Sequence, residues 1–438
     1  MSGLISEMAD AASFENQAIE SVRRRLMPFL LLMYIIAFLD RANIGFAKQA
    51  LQASTGISEA AYGLGAGLFF LTYALLEVPS NLIMHRIGAR IWMFRIMVSW
   101  GLVSMATMFV SGRASFYVLR LCLGAAEAGF FPGVILYLTY WFPNRVRGRM
   151  LGQFYFGAPL AFIFGGPLSG ALLGLHGKGL QGWQWMFLVE GLLAVVVGVW
   201  AYWYLGNKPA DASWLPARQK QALLARLAIE EQERRSYGPS AFLATFGNLR
   251  VLHFALTYCL IQMSVYGVVF YLPAEVATML HGAIGFEVGA ISTIPWICAL
   301  AAVFWLPLAA GRNNNHRLLG TLVLAFAACA GLIFPSSGPV LGFAALCVAA
   351  SSFIAVQPLF WTFPTGYLAG GAAAAGIALI NAVGNLGGFL APGAKIWADR
   401  HYQSHTAGLY LLAGLAALNA LLFSALRGPK QAQKIPRS

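Results

Sequence analysis

Apolar residues run in blocks of about twenty through nearly the whole chain, from Leu26 almost to the C-terminus, with short polar segments between them. A helix of roughly 20 apolar residues crosses the hydrocarbon core of a bilayer. Blocks of this length fall at 26–46, 62–84, 92–111, 115–142, 150–174, 185–206, 250–280, 286–310, 317–335, 340–365, 372–397 and 406–426. The pattern predicts an all-α integral membrane protein with about twelve transmembrane helices. The longest polar stretch, 207–249, contains an amphipathic run with Lys220 and Arg226 set against Glu230, Glu231 and Glu233, and reads as a solvated linker. It separates a six-helix half at 26–206 from a second at 250–427, with tails at 1–25 and 428–438. A weak internal echo supports duplication. The fourth block ends at Trp141 and Pro143 and the tenth at Trp361 and Pro364, each leading into a small-residue helix start.

Composition strengthens this picture. Of the 438 residues 59% are hydrophobic and 10% charged, against about 25% charged in soluble domains. The net charge of +13 would suit a nucleic-acid binder if it were clustered. Instead, with the N-terminus placed inside, 21 of the 29 Lys and Arg fall in inner loops and tails and 5 in outer ones. Basic residues stay on the side that is not translocated, so both termini are expected in the cytoplasm. Five cysteines, all within apolar blocks, fit core packing and no disulfide framework. Arg23 to Arg25 before an apolar run mimic a secretory leader, but the spans that follow favour a retained first helix. Glycines recur at helical spacing in "YGLGAG", "FGGPLSG" and "VGNLGG", where small faces let membrane helices approach closely.

Charges inside the apolar blocks carry the candidate chemistry. A charge near the bilayer centre costs several kcal/mol unless it meets a partner or a wet cavity. The first block holds Asp40 and Arg41; the fourth holds Arg120 and Glu127, seven residues apart on nearly one helix face. Two ion pairs that merely fasten helices are one reading. In the other, acids beside bases in a partly dry cavity take up protons when an incoming anion claims the arginines. The second half offers amides instead: Gln262, Gln357, Asn381 and Asn385, with Tyr258, Tyr266, Trp296 and Trp361. Such groups suit hydroxyls, or serve as interhelix hydrogen bonds. Glu77 and Glu190 read as structural acids. His401 and His405 have metal-ligand spacing but no further ligands, so no metal and no cofactor are expected. No nucleophile elbow, zinc-protease or phosphate-loop motif is present, which argues against an enzyme.

Four segments, "FLDRANIGFAKQALQ", "EVPSNLIMHRIGAR", "RLCLGAAEAGFFPGVILYLTYWFPNRVRGRMLG" and "AAAAGIALINAVGNLGGFLAP", resemble the anion:cation symporter family of the major facilitator superfamily. Within it the chain is most similar in appearance to bacterial L-rhamnonate transporters, with tartrate, phthalate and 4-hydroxyphenylacetate permeases as relatives. The resemblance implies uptake of a small organic anion with protons, by alternating access, in a bacterial cytoplasmic (inner) membrane, by a monomer with no nucleic-acid partner. It makes Asp40 and Glu127 the proton-coupling residues and Arg41 the grip on the substrate carboxylate. It also implies that Arg120 pairs with the acids, and that Tyr73, Trp361, Asn381 and Asn385 contact substrate. An aromatic or dicarboxylic acid permease and a transporter-like nutrient sensor are the alternatives. Three positions depart from the family pattern: Phe38 in place of a tyrosine, His85 in place of an acid in the inner loop, and no acid near Arg312.

Overall fold

The computed structural model describes residues 2–175, 177, 179–235, 247–282, 284–313, 315–367 and 370–426. Nearly all of them are helical. Eleven helices among them are long and apolar enough to cross a membrane, and Gly370–His401, with 32 residues, adds one of ample length.

The chain divides into two compact units. The first comprises Met1–Ser236 and Val269–Ile297. Its helices are α1 (Ser2–Thr55), α2 (Glu59–Ile87), α3 (Ala89–Ala106), α4 (Arg113–Glu127), α5 (Phe130–Trp141), α6 (Asn144–Tyr155), α7 (Gly157–Leu173), α8 (Gly182–Tyr204) and α9 (Ala217–Arg235). The end of α10 (Leu249–Met279), α11 (Phe286–Ile291) and the start of α12 (Thr293–Asn313) complete it. In the second unit the rest of α10 and α12 joins α13 (His316–Ile333), α14 (Pro339–Tyr367), α15 (Gly370–His401) and α16 (Ala407–Ser424). Segment 269–297 packs with the first unit, where Gly166 of α7 and Gly289 of α11 bring two backbones together so closely that a Cβ on either would strike the other's carbonyl. Trp296 stacks on Phe162 in the same contact, with ring centroids 4.0 Å apart.

Membrane helices bury polar groups and turn apolar ones outward, and this chain follows that rule. Leu75, Phe164, Trp203 and Trp305 are each more than 60% exposed, while Asp40, Arg41, Arg120, Glu127 and Glu190 are each under 9%. Two of the departures from the expected spans bear on the site. Helix α1 runs for 54 residues, about 81 Å at 1.5 Å per residue, so the expected tail is its first turns. Glu20 pairs with Arg23 and Arg24 one turn on. Linker helix α9 packs on this extension through Gln219, which lies within hydrogen-bond distance of Gln17 and Ser21.

The fourth span, expected unbroken over 115–142, is two helices. Helix α4 stops at Glu127, Gly129 takes a left-handed φ of 88°, and α5 starts at Phe130. The cause is local. Pro132 has no N–H to give the carbonyl of Ala128 four residues earlier. The hydroxyl of Ser80 on α2 donates to that carbonyl instead, at 2.6 Å, and itself accepts from the Trp92 indole at 2.9 Å.

Candidate functional site

In the first unit, α1 and α4 bring the four predicted charges together. Arg41 donates from Nε and Nη2 to a single oxygen of Glu127, Oε1, at 2.9 and 2.5 Å. The other oxygen, Oε2, is buried and has no hydrogen-bond partner. Three rings surround the Arg41 guanidinium, with centroids at 5.2 Å (Phe38), 5.6 Å (Phe69) and 5.0 Å (Tyr73). Phe38 thus keeps an aromatic wall where the family pattern has a hydroxyl. Tyr73, predicted as a substrate contact, lies under the arginine and is 1% exposed.

Asp40 is held by neutral donors. Its Oδ1 accepts from Asn43, one turn along α1, at 3.2 Å and from the Ser104 hydroxyl on α3. Its Oδ2 has no partner. Arg120 is arranged differently from the expectation that it pairs with the acids. Its guanidinium sits over Phe69 at 5.0 Å and reaches backbone carbonyls of α2, Gly65 at 3.4 Å and Ala66 at 3.3 Å. Among the described residues no carboxylate lies within ion-pair distance of it, and Asp40 is the acid whose field it feels most. The cluster therefore contains one closed ion pair and one buried guanidinium for which no salt bridge is present among the described residues. Such a cation in a dry interior is a ready acceptor for an anion.

The second unit holds the other predicted residues. Asn381 and Asn385 are buried on α15. Trp361 of α14 is half-buried and packs edge-on against Tyr258 at 5.0 Å and Phe360 at 5.5 Å. Tyr258 stacks on Phe360 at 5.1 Å. These residues form an amide-bearing helix and an aromatic group with no charged side chain among them. The side chains of His85 and Arg312 lie outside the described residues. His401 stacks on Trp397, and among the described residues no three of His, Cys, Asp and Glu converge as metal ligands.

Comparison with known proteins decides the family. The model of the Major Facilitator Superfamily matches residues 30–392. The chain belongs to this superfamily. It is 44% identical over 416 residues to the inner membrane transport protein RhmT of Escherichia coli, covering 94% of this chain and 96% of that one. A protein of Agrobacterium vitis to which the name assigns tartrate is 41% identical over 416 residues, covering 93% and 91%. In structure the chain is similar to the xylose transporter XylE from E. coli, with a TM-score of 0.73 over 95% of this chain and 98% of that one at 15% identity, a likeness of fold. As a superfamily member the chain is a multi-pass membrane transporter and not an enzyme.

Sequence reading missed two members of the cluster. Ser104 is an ordinary small residue within a span, with nothing to mark it. Asn43 could have been found, since it lies three residues from Asp40 and so shares its face. Glu190, which the sequence marks as a structural acid, accepts from the Ser169 hydroxyl at 2.7 Å.

Proposed function

We propose that this chain is a proton-coupled importer of a small hydroxylated organic anion, a sugar acid such as L-rhamnonate, in a bacterial cytoplasmic membrane. The observation that supports it is the one-sided Arg41–Glu127 pair. A substrate carboxylate that takes the planar guanidinium in bidentate fashion displaces Glu127 from it. Glu127 is then a buried carboxylate stripped of its countercharge and bears an oxygen with no donor, so it binds a proton. Substrate binding and protonation are thereby one event. Asp40, under the field of Arg120, is the second protonation site. For Asn381, Asn385 and Trp361, in the second unit, the support for a substrate role is the family resemblance. Alternating access then carries the neutralised load across, and the coupling ion needs no bound cofactor.

A relative whose name assigns it tartrate supports the substrate class. The Tyr258–Phe360–Trp361 rings favour a second reading, an aromatic-acid carrier in which they stack on the substrate. The chain reconstituted in vesicles should acidify the lumen when L-rhamnonate is added outside, and phthalate should compete weakly. Uptake without acidification overturns symport; stronger competition by phthalate moves the substrate to the aromatic class.

A further inference from the structure

The ring of Phe69, on α2, is 1% exposed and sits in the charge cluster with no part in the coupling described above. The Arg41 guanidinium of α1 stands over it at 5.6 Å from the centroid, and the Arg120 guanidinium of α4 at 5.0 Å. One buried ring is thus shared by two cations from different helices. Close packing fixes its place. Gly124 of α4, one turn from Arg120 and one turn from Glu127, approaches the Phe69 carbonyl so closely that a Cβ there would collide with it. The Thr72 hydroxyl donates to the Leu121 carbonyl of α4 at 2.9 Å. Phe70 packs edge-on against the ring at 4.9 Å, and the Tyr73 ring lies at 5.6 Å. Helix α2 is pinned to α4 at the level of the charges.

Two like charges drawn to one buried ring repel each other. For Arg120 no carboxylate lies within ion-pair distance among the described residues to offset that. The face of an aromatic ring is negative, and a cation over it is stabilised most where both are desolvated. Phe69 offers such a face to both guanidiniums. An aliphatic side chain of similar size would fill the same volume without that attraction, so what the ring adds here is electrostatic. Because one rigid ring carries both cations, it also sets how far apart they stand. Its contact with Arg41 involves neither Glu127 nor a substrate carboxylate, so it persists while one replaces the other on the guanidinium.

We propose that Phe69 is the positioning residue of the charge cluster: its ring holds Arg41 and Arg120 at a fixed spacing and keeps Arg41 oriented while Glu127 gives way to the substrate. The second half of this rests on the proposed exchange of carboxylates at Arg41; the first half does not. Phe69 acts through the two arginines and needs no contact with the substrate.

Fluorinated phenylalanines placed at position 69 of the full-length protein test this. Each fluorine withdraws negative charge from the ring face, enlarges the ring little and makes it more apolar. The melting temperature in detergent, without substrate, should fall step by step from phenylalanine through the mono-, di- and trifluoro rings. The steps should shrink in an Arg120→Met background, where one of the two cations is gone. A ring that only fills space would keep or raise its melting temperature, so a flat or rising series overturns the proposal. Steps of equal size in the two backgrounds do the same. Should Arg120→Met not fold, transport supplies the second measurement. The half-saturation concentration for L-rhamnonate uptake should rise about two- to fivefold in Phe69→Leu, and Phe69→Tyr, which keeps the ring, should recover most of the loss. Equal values in the wild type and Phe69→Leu overturn the proposal. Uptake without acidification would sink symport alone and leave the melting series standing, so the two readings fail separately.

Discussion

Glu127 has one oxygen gripped twice by Arg41 and one without a hydrogen-bond partner, the arrangement on which the proposed coupling rests. Glu127→Gln keeps the shape and removes the titration. Uphill accumulation should be lost, while counterflow exchange of substrate down its gradient persists, as measured in vesicles with and without a proton gradient. Arg41→Lys retains the charge but loses the planar fork, and should raise the half-saturation concentration about tenfold, equivalent to about 1.4 kcal/mol. Removing the arginine altogether, as in Arg41→Ala, leaves Glu127 buried and unpaired at a cost of about 3–5 kcal/mol, so stability must be measured alongside uptake. All four charges were legible in the sequence, because a charge within an apolar block is conspicuous. Their pairing was not. Which arginine meets which acid depends on how α1 and α4 are rotated against each other, and seven-residue spacing within one helix says nothing about that.

Among the elements, the interruption after Glu127 is the most informative. Its components are Gly129, the only residue type that adopts a φ of 88° without strain, Pro132, and the Ser80 hydroxyl that takes over the orphaned Ala128 carbonyl. Ser80→Ala leaves that carbonyl unsatisfied inside the membrane and should lower stability by about 1–3 kcal/mol. Pro132→Ala returns the missing N–H. Combined with Ser80→Ala it should recover part of the loss, because the backbone then satisfies its own carbonyl. Thermal unfolding of the two single variants and the double variant in detergent measures this, and strict additivity of their effects would count against the account. The break places the free end of α4 at Glu127, so the acid sits where the backbone can adjust without unwinding a helix. The motif "AEAGFFPG" contained the glycine and proline in plain view. The twelve-block pattern concealed the break, since apolar residues continue straight through it.

At the level of the whole molecule, a ligand that binds only the folded chain adds to its stability. A carboxylate that occupies the Arg41 and Arg120 region should stabilise the folded state, by about 2.7 kcal/mol at one hundred times its dissociation constant. A thermal-shift screen of purified protein against L-rhamnonate, tartrate and phthalate should therefore rank sugar acids first. A rise with phthalate alone would assign the carrier to aromatic acids. The bias of 21 inner against 5 outer basic residues further predicts that reporters fused to either terminus are read as cytoplasmic; a C-terminal reporter active outside would break the twelve-span topology.

The sequence by itself determined the solvent, the class of fold and the inventory of chemistry. Apolar run length is set by bilayer thickness, and an ionisable residue in such a run is too costly to be accidental. Tertiary structure alone decided the partnerships: Arg41 with Glu127, Arg120 on backbone carbonyls, Asp40 with Asn43 and Ser104, Glu190 with Ser169, and 269–297 packed with the first unit. Each of these depends on side-chain direction and close helix approach. Hydrophobic periodicity constrains neither in a membrane helix, because all its faces are apolar enough to be buried or to meet lipid.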